Sequence, residues 1–181
     1  NYFANPAKDI YAKVSMGIFE EMFGGIGGEI IYRPFSKNYG IGLETWQVYQ
    51  RDYDMLFSFR DYDIVTGHLN LHYHHDRSSI DFLVKGGRFL AGDSGIYFDF
   101  SRRFSNGLKI GAFFARTDIS KFEFGEGSFD KGFYFFVPVN IFSTKHRNGH
   151  VPFGLRPLTR DGAAWLLHSF QLWGVTDAAS R

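Results

Sequence analysis

The sequence predicts an all-β chain, an antiparallel transmembrane β-barrel of about eight to ten strands, and three observations carry that prediction. The chain of 181 residues holds 22 Phe, 10 Tyr and 3 Trp interleaved with 21 Gly. Aromatic and β-branched side chains favour strands, and glycines among them mark turns and bulges. Eight segments alternate apolar and polar residues with period two. Short connections alternate with longer ones, as the periplasmic turns and extracellular loops of an outer-membrane barrel do.

The first segment, about Tyr11 to Glu20, puts Ala12, Val14, Met16 and Ile18 on one face. In the second, Gly28 to Phe35, Ile30 and Tyr32 oppose Glu29 and Arg33. In the third, Tyr39 to Gln50, Ile41, Leu43, Thr45 and Tyr49 oppose Glu44 and Trp46. The fourth, Thr66 to His75, is the cleanest: Leu69, Leu71 and Tyr73 alternate with His68, Asn70, His72 and His74. The fifth, Ile80 to Phe89, sets Phe82 and Val84 against Asp81 and Lys85, and the sixth, Gly95 to Phe104, sets Ile96, Phe98 and Phe100 against Tyr97, Asp99, Ser101 and Arg103. The seventh, Leu108 to Arg116, sets Ile110, Ala112 and Phe114 against Lys109, and the eighth, Gly132 to Asn140, groups Phe133, Phe135, Val137 and Val139. No Asp, Glu, Lys or Arg falls in the middle of the apolar parity of any of the eight.

The connections Ser36–Asn38, Asp76–Ser79 and Ser105–Gly107 are short, and Asn106-Gly107 is a strong hairpin signal. The links from Phe19 to Gly27, Arg51 to Asp63, Arg88 to Ser94 and Thr117 to Lys131 are longer. This alternation places both ends of the eight-strand set, and with them the chain ends, on the periplasmic side. Residues 8–142 form the strand region. Residues 143–181 form a C-terminal segment richer in His, Arg, Pro and Gly, with a short helical turn expected at Ala163 to His168 and one more strand at Phe170 to Val175.

Composition removes several function classes. Lys and Arg total 20 against 19 Asp and Glu, so the basic excess of a nucleic-acid binder is missing. Without cysteine there is no disulfide framework, thiolate metal site or cysteine nucleophile. There is no apolar run long enough for a transmembrane helix. The start at Asn1 lacks a charged n-region and an apolar h-region, so a signal peptide is expected to have been removed or to lie outside this piece.

Periodicity alone does not say which parity faces inward. A soluble barrel of lipocalin type would bury the apolar parity. Two features favour lipid outside: the opposite parity carries both charge signs and histidines, as a wet lumen does, and Tyr and Phe recur near strand ends, where aromatic girdles sit. The deciding observation is the orientation of the fourth segment. A membrane barrel requires Leu69, Leu71 and Tyr73 outward with His68, Asn70 and His72 inward.

The stretch Glu20-Glu21-Met22-Phe23-Gly24-Gly25-Ile26-Gly27-Gly28-Glu29-Ile30-Ile31-Tyr32-Arg33-Pro34-Phe35, with Gln50–Asp54, Thr66-Gly67-His68 and Arg156-Pro157-Leu158-Thr159-Arg160-Asp161-Gly162, resembles the YjbH/GfcD (WbfB-like) family. These are outer-membrane proteins encoded in operons for exopolysaccharide and capsule production. The resemblance runs from about Tyr11 to Val175 and implies the C-terminal part of a longer protein, in the Gram-negative outer membrane, with a role in polysaccharide export. It brings no catalytic residues.

The inward parity supplies the candidate lumen or polysaccharide-contact residues: Lys13, Glu29, Arg33, Glu44, Trp46, His68, Asn70, His72, Asp81, Lys85, Asp99, Arg103 and Lys109. Trp46 is the best sugar-stacking candidate, since an aromatic face offers apolar area with a polar edge; packing is the competing role. In a narrow barrel the charges would pair across the lumen and plug it. His68, His72 and His74 share a face and are weak metal candidates, against a simple polar wall. The tetrad Arg-Asp-Tyr-Asp occurs at Arg51–Asp54 and again at Arg60–Asp63. Its carboxylates could serve calcium or an acid/base pair, but a charged loop held by Arg–Asp pairs is the plainer reading. The expectation is therefore a non-catalytic structural or conduit protein of exopolysaccharide secretion or assembly, with no cofactor. Its partners would be outer-membrane lipid, the polysaccharide and periplasmic proteins of the same operon, without nucleic acid. The alternatives are a polysaccharide-modifying outer-membrane enzyme using loop carboxylates and a soluble sugar-binding β-domain.

Overall fold

A computed structural model describes residues 1–54, 56–120, 128–139, 149–155 and 162–179. Ten strands run in chain order: β1 Tyr2–Ala7, β2 Ile10–Ile18, β3 Phe23–Tyr32, β4 Tyr39–Arg51, β5 Phe59–His75, β6 Ile80–Arg88, β7 Ser94–Arg103, β8 Lys109–Thr117, β9 Phe129–Pro138 and β10 His150–Leu155. One helix, α1, spans Leu172–Ala179. The strands form a single antiparallel sheet in the order β1 to β10, each paired to its sequence neighbours. The sheet is open, with β1 and β10 as its two edges. Among the described residues no helix is long and apolar enough to cross a membrane.

The eight segments read from the sequence are β2 to β9. The two strands the alternation did not reveal are the edges, and each carries a proline. Pro6 falls where the β1–β2 register shifts between Ala4 and Ala7, and Pro152 lies within β10. Proline lacks the ladder donor, so it is confined to edges and bulges; the residue that hides these strands from a pattern search also fits them to the sheet's rim. β5 begins at Phe59 rather than Thr66. A bulge between Tyr49 and Arg51 lets β4 pair with Asp63 and then Phe59, so the second Arg-Asp-Tyr-Asp tetrad lies in a strand, not in a loop.

Short connections gather at one end of the sheet. Phe104 N–H donates to Leu108 O at 2.8 Å across the Asn106-Gly107 turn, where Gly107 takes a φ of 86°, a value that suits glycine. β2 starts and β9 finishes at this short-turn end, as expected for the eight-strand set. The chain ends do not both lie there, however. β1 runs back so that Tyr2 pairs with Val14, and Ser15 Oγ donates to Asn1 Oδ1 midway along β2.

Burial is inverted relative to a soluble protein. On β5 Leu69, Leu71 and Tyr73 are exposed while His68 and Asn70 are buried and His72 is half-buried. The same holds on β2, where Met16 is 78 % exposed and Lys13 is 1 %, and on β4, where Leu43 is 55 % exposed and Glu44 is 4 %. Outward charges sit near strand ends, at Asp63, Arg102, Arg116 and Lys131. Tyr32, Tyr39, Tyr73 and Phe82 ring the short-turn end, and Tyr49 and Phe59 meet edge-to-face at the other.

What covers the polar face is the C-terminal segment. From Gly162 it enters beside Asp93 at the loop end, crosses the concave side of the sheet and ends in α1 near Arg33 at the short-turn end. The expected secondary structure is corrected here: Ala163–His168 is not helical, and Phe170–Val175 is not a strand, since α1 starts at Leu172. The cause is a cap from far upstream. Leu172 N–H donates to both oxygens of Glu29, at 3.1 and 3.0 Å, and a carboxylate at a helix N-terminus satisfies an orphan donor and meets the positive end of the dipole. The expected boundary at residue 143 and the Arg156–Asp161 part of the tail motif lie outside the described residues.

Candidate functional site

The inward residues of β2 to β5 line up in register. Lys13 pairs with Glu29, Glu29 with Glu44, and Glu44 with His68. Two carboxylates directly opposite each other repel, so this row is stable only with cations beside it. Lys13 Nζ lies 3.4 Å from Glu29 Oε2, and Lys85 Nζ lies 2.5 Å from Glu44 Oε1. Two lysines thus balance two glutamates in a dry space.

Glu44 is the hub. Besides Lys85 it accepts from His68 Nδ1 at 3.2 Å, Asn70 Nδ2 at 3.2 Å, Trp46 Nε1 at 3.3 Å and His168 Nε2 at 3.1 Å. The last donor comes from the returning segment. Lys13 donates to Nδ1 of the same imidazole at 3.0 Å and to Phe170 O at 3.1 Å. An ammonium has no acceptor, so His168 carries its hydrogen on Nε2, toward Glu44. Burying ions is costly unless each is paired and hydrogen-bonded, and the segment supplies the partners the strands lack.

The rest of the segment is held by other means. Toward the loop end, Leu166 packs with Trp46, Val48, Ile64 and Leu90, and Ala163 with Phe89, Tyr97 and Ala115. Leu90 N–H donates to Ala164 O at 2.8 Å, and Asp93 Oδ2 accepts from Ala163 N–H at 2.7 Å. Leu167 N–H donates to Glu20 Oε2 at 3.3 Å, and burial raises the Glu20 carboxyl above its ordinary pKa despite that bond. Toward the short-turn end, His72 stacks on Trp173 at 4.5 Å with 7° between the planes, and the Arg33 guanidinium lies 4.0 Å from the same ring. Gly40 makes room for it, since a Cβ there would lie 2.9 Å from the indole.

The thirteen candidate residues therefore divide. Lys13, Glu29, Arg33, Glu44, Trp46, His72 and Lys85 touch the returning segment, and His68 and Asn70 support it through Glu44. Trp46, 1 % exposed, packs on Phe19 and His168 and presents no face to a sugar in this arrangement. Asp81, Asp99, Arg103 and Lys109 instead line a cavity of about 450 Å³ between the segment and β5 to β9, with Tyr97, Tyr134, Trp165, Gln171 and Trp173 also in its wall. A second cavity of about 630 Å³ at the short-turn end shares Arg103 and Trp173 with the first.

The histidines do not converge. His68 serves Glu44, His72 stacks on Trp173, and His74 Nδ1 lies 2.6 Å from Asp81. Among the described residues no group of three His, Asp or Glu is placed to hold a metal. In the first tetrad the carboxylates shape their own loop. Asp54 accepts from Leu56 N–H at 2.9 Å and from Ser58 Oγ, while Arg51 donates to Glu21 O at 2.9 Å and Leu56 O at 2.8 Å. Sequence reading missed Trp165, His168, Gln171 and Trp173. The available signal was that two of the three tryptophans fall in the C-terminal segment, outside the eight alternating segments.

A family model described as "Exopolysaccharide biosynthesis protein YbjH" matches residues 1–178, so the chain belongs to the YjbH exopolysaccharide biosynthesis family. It is 40% identical over 186 residues to a protein of Escherichia coli (strain K12) named "Uncharacterized lipoprotein YjbH". That alignment covers 99% of this chain but only 26% of the relative, so the chain spans about a quarter of the relative's length. No solved structure matches the chain.

Proposed function

We propose that this member of the YjbH family forms part of the wall of an outer-membrane β-barrel and serves exopolysaccharide secretion or assembly as a non-catalytic structural or conduit component. The observation that carries the reading is the inversion of burial: Val14, Met16, Leu43, Leu69 and Leu71 face out while Lys13, Glu44, His68 and Lys85 face in. Soluble monomers rarely expose contiguous apolar patches beyond a few hundred Å², whereas a lipid-facing surface needs such a band, flanked by aromatic girdles. The dimensions agree. Tyr39 and Tyr49 stand ten residues apart on β4, about 33 Å along a strand at ~3.3 Å per residue. That becomes about 25 Å of height at a tilt of ~40°, the height of the apolar band in outer-membrane barrels.

A spanning sheet must close, because lipid offers no partner for an edge. β1 and β10, the edges of the described sheet, accordingly pair with strands from the remainder of a longer protein, of which this chain would be the C-terminal part. They do so at positions other than Pro6 and Pro152, which have no donor to give. The short-turn end faces the periplasm, where proteins of the same operon dock. The relative's name, a lipoprotein, supports an envelope location. The test is cysteine accessibility in cells carrying the full-length protein. This chain has no native cysteine, so, measured against the labelling of the parent protein, single cysteines at Ser105 or Asn106 should react only from the periplasm, and one at Tyr53 should react from outside intact cells. A cysteine at Leu43 or Leu71 should resist water-soluble reagents. Ready labelling of Leu43 and Leu71 by such reagents would overturn the reading.

A further inference from the structure

The segment that crosses the concave face covers only part of it. Over β2 to β5 every charged inward residue named above is engaged by the segment or by its neighbours. Over β6 to β9 the cavity remains, and its wall has a distinct character. Tyr134 lies across Gly111, where a Cβ would come 2.2 Å from the ring, and donates to Asp99 Oδ1 at 2.8 Å. Glycine at that position is what lets the ring lie flat over β8. Trp165 is fixed from one side by the Lys85 ammonium, 4.3 Å from its ring, and by Tyr97 edge-on at 6.3 Å. Trp173 is fixed by His72 and Arg33, as above. These rings do not need ordering on binding, and rigid aromatic anchors lose little conformational entropy.

We infer that the cavity between the returning segment and β6 to β9 is a saccharide-binding groove, in which Trp165 and Tyr134 present aromatic surface while Asp99, Lys109 and Gln171 bond to hydroxyls. Three features select this ligand class. Its volume, about 450 Å³, falls within the range of small-ligand sites. Aromatic rings with polar edges match the apolar faces and hydroxyl rims of pyranose rings. The charges are mixed: Asp81 and Asp99 against Arg103 and Lys109. A strongly charged polymer calls for a lining of one sign, whereas hydroxyls both donate and accept and so use both kinds of partner. A carboxylate has about four lone-pair sites, of which Tyr134 and Tyr97 use two on Asp99, so acceptor sites remain for a hydroxyl. The groove meets the short-turn cavity at Arg103 and Trp173, so a chain can lie along the segment toward that end while the segment stays in place.

This inference rests on the export reading, and one experiment separates the two. Exopolysaccharide secreted by the strain carrying the gene is partly hydrolysed, and its oligosaccharides are titrated calorimetrically into the full-length protein in detergent. Asp99→Asn and Lys109→Gln should each weaken binding at least tenfold, while Arg60→Gln, at the far end of β5, leaves it unchanged. The heat-dependent gel shift of each variant, equal to that of the parent, establishes that it is folded. Unchanged affinity in both groove variants overturns the groove and leaves the export reading standing. So does absence of binding by the parent protein when deletion of the gene abolishes the surface polysaccharide. A deletion strain with normal surface polysaccharide overturns the export reading itself.

Discussion

His168 donates through Nε2 to Glu44 Oε2 at 3.1 Å, joining the returning segment to the centre of β4 across 124 residues of sequence. The bond sits in a cluster in which Lys13 and Lys85 balance Glu29 and Glu44, so the carboxylate fixes both the strand row and the segment above it. Removing one partner of a buried ionic cluster costs about 3–5 kcal/mol, because the other charge is left uncompensated. Glu44→Gln should therefore lower the urea-unfolding free energy of the protein refolded in lipid vesicles by about 3–5 kcal/mol, read as a lower midpoint at unchanged slope. A double-mutant cycle with His168→Phe, which keeps a ring against Trp46, should give a coupling of about 0.5–3 kcal/mol. Additive effects would show that the segment is not held through Glu44.

The outward parity makes a second prediction. Leu43 lies on the exposed face of β4 between Tyr39 and Tyr49, near the centre of the proposed lipid band. Leu43→Arg should destabilise the vesicle-embedded protein by about 2–4 kcal/mol, the cost of a cation at the bilayer midplane. Lys37→Gln, in the β3–β4 turn, should change it by less than ~0.5 kcal/mol, as surface substitutions usually do. Equal tolerance of both would mean that water, not lipid, bathes this face.

Glu20 gives a pH dependence with a definite sign. Burial raises its folded-state pKa, with the Leu167 N–H bond opposing and Glu21 adding to the rise. The folded state then binds the proton more tightly than the unfolded chain. Stability from this group is present below the unfolded carboxyl pKa and is lost as pH rises through the higher folded value. Glu20→Gln keeps an acceptor for Leu167 and removes the titration. The variant should gain stability at neutral pH relative to the parent and show no advantage in acid. Parallel stability–pH curves would refute the assignment.

Gly162 guards the entry of the segment. A Cβ there would come 2.5 Å from Thr117 Oγ1 and 2.9 Å from Asp93 Oδ2, the carboxylate that accepts from Ala163 N–H. Gly162→Val should loosen the segment's first residues and admit water to Trp46. Red-shifted tryptophan emission and faster cleavage by added protease near Ala163 would report it, with the strand content by circular dichroism unchanged. Emission and cleavage identical to the parent's would mean that the entry tolerates the side chain.

The sequence by itself determined the strands and the sorting of their side chains. Alternation with period two is a property of neighbouring residues, so β2 to β9 and the shared parity of Lys13, Glu29, Glu44, His68 and Lys85 are visible without a fold. It missed β1 and β10, whose prolines break the pattern in the places where an edge permits it. The tertiary structure decided what covers the polar parity. Lys13 and Trp46 serve the returning segment while Asp99 and Lys109 line a cavity, and no local feature of their strands separates the two pairs. Leu172 starts a helix because Glu29 caps it from 143 residues away. Residues distant in the chain meet only after the sheet curves, and the partner that settles a buried charge is a long-range contact that local periodicity does not encode.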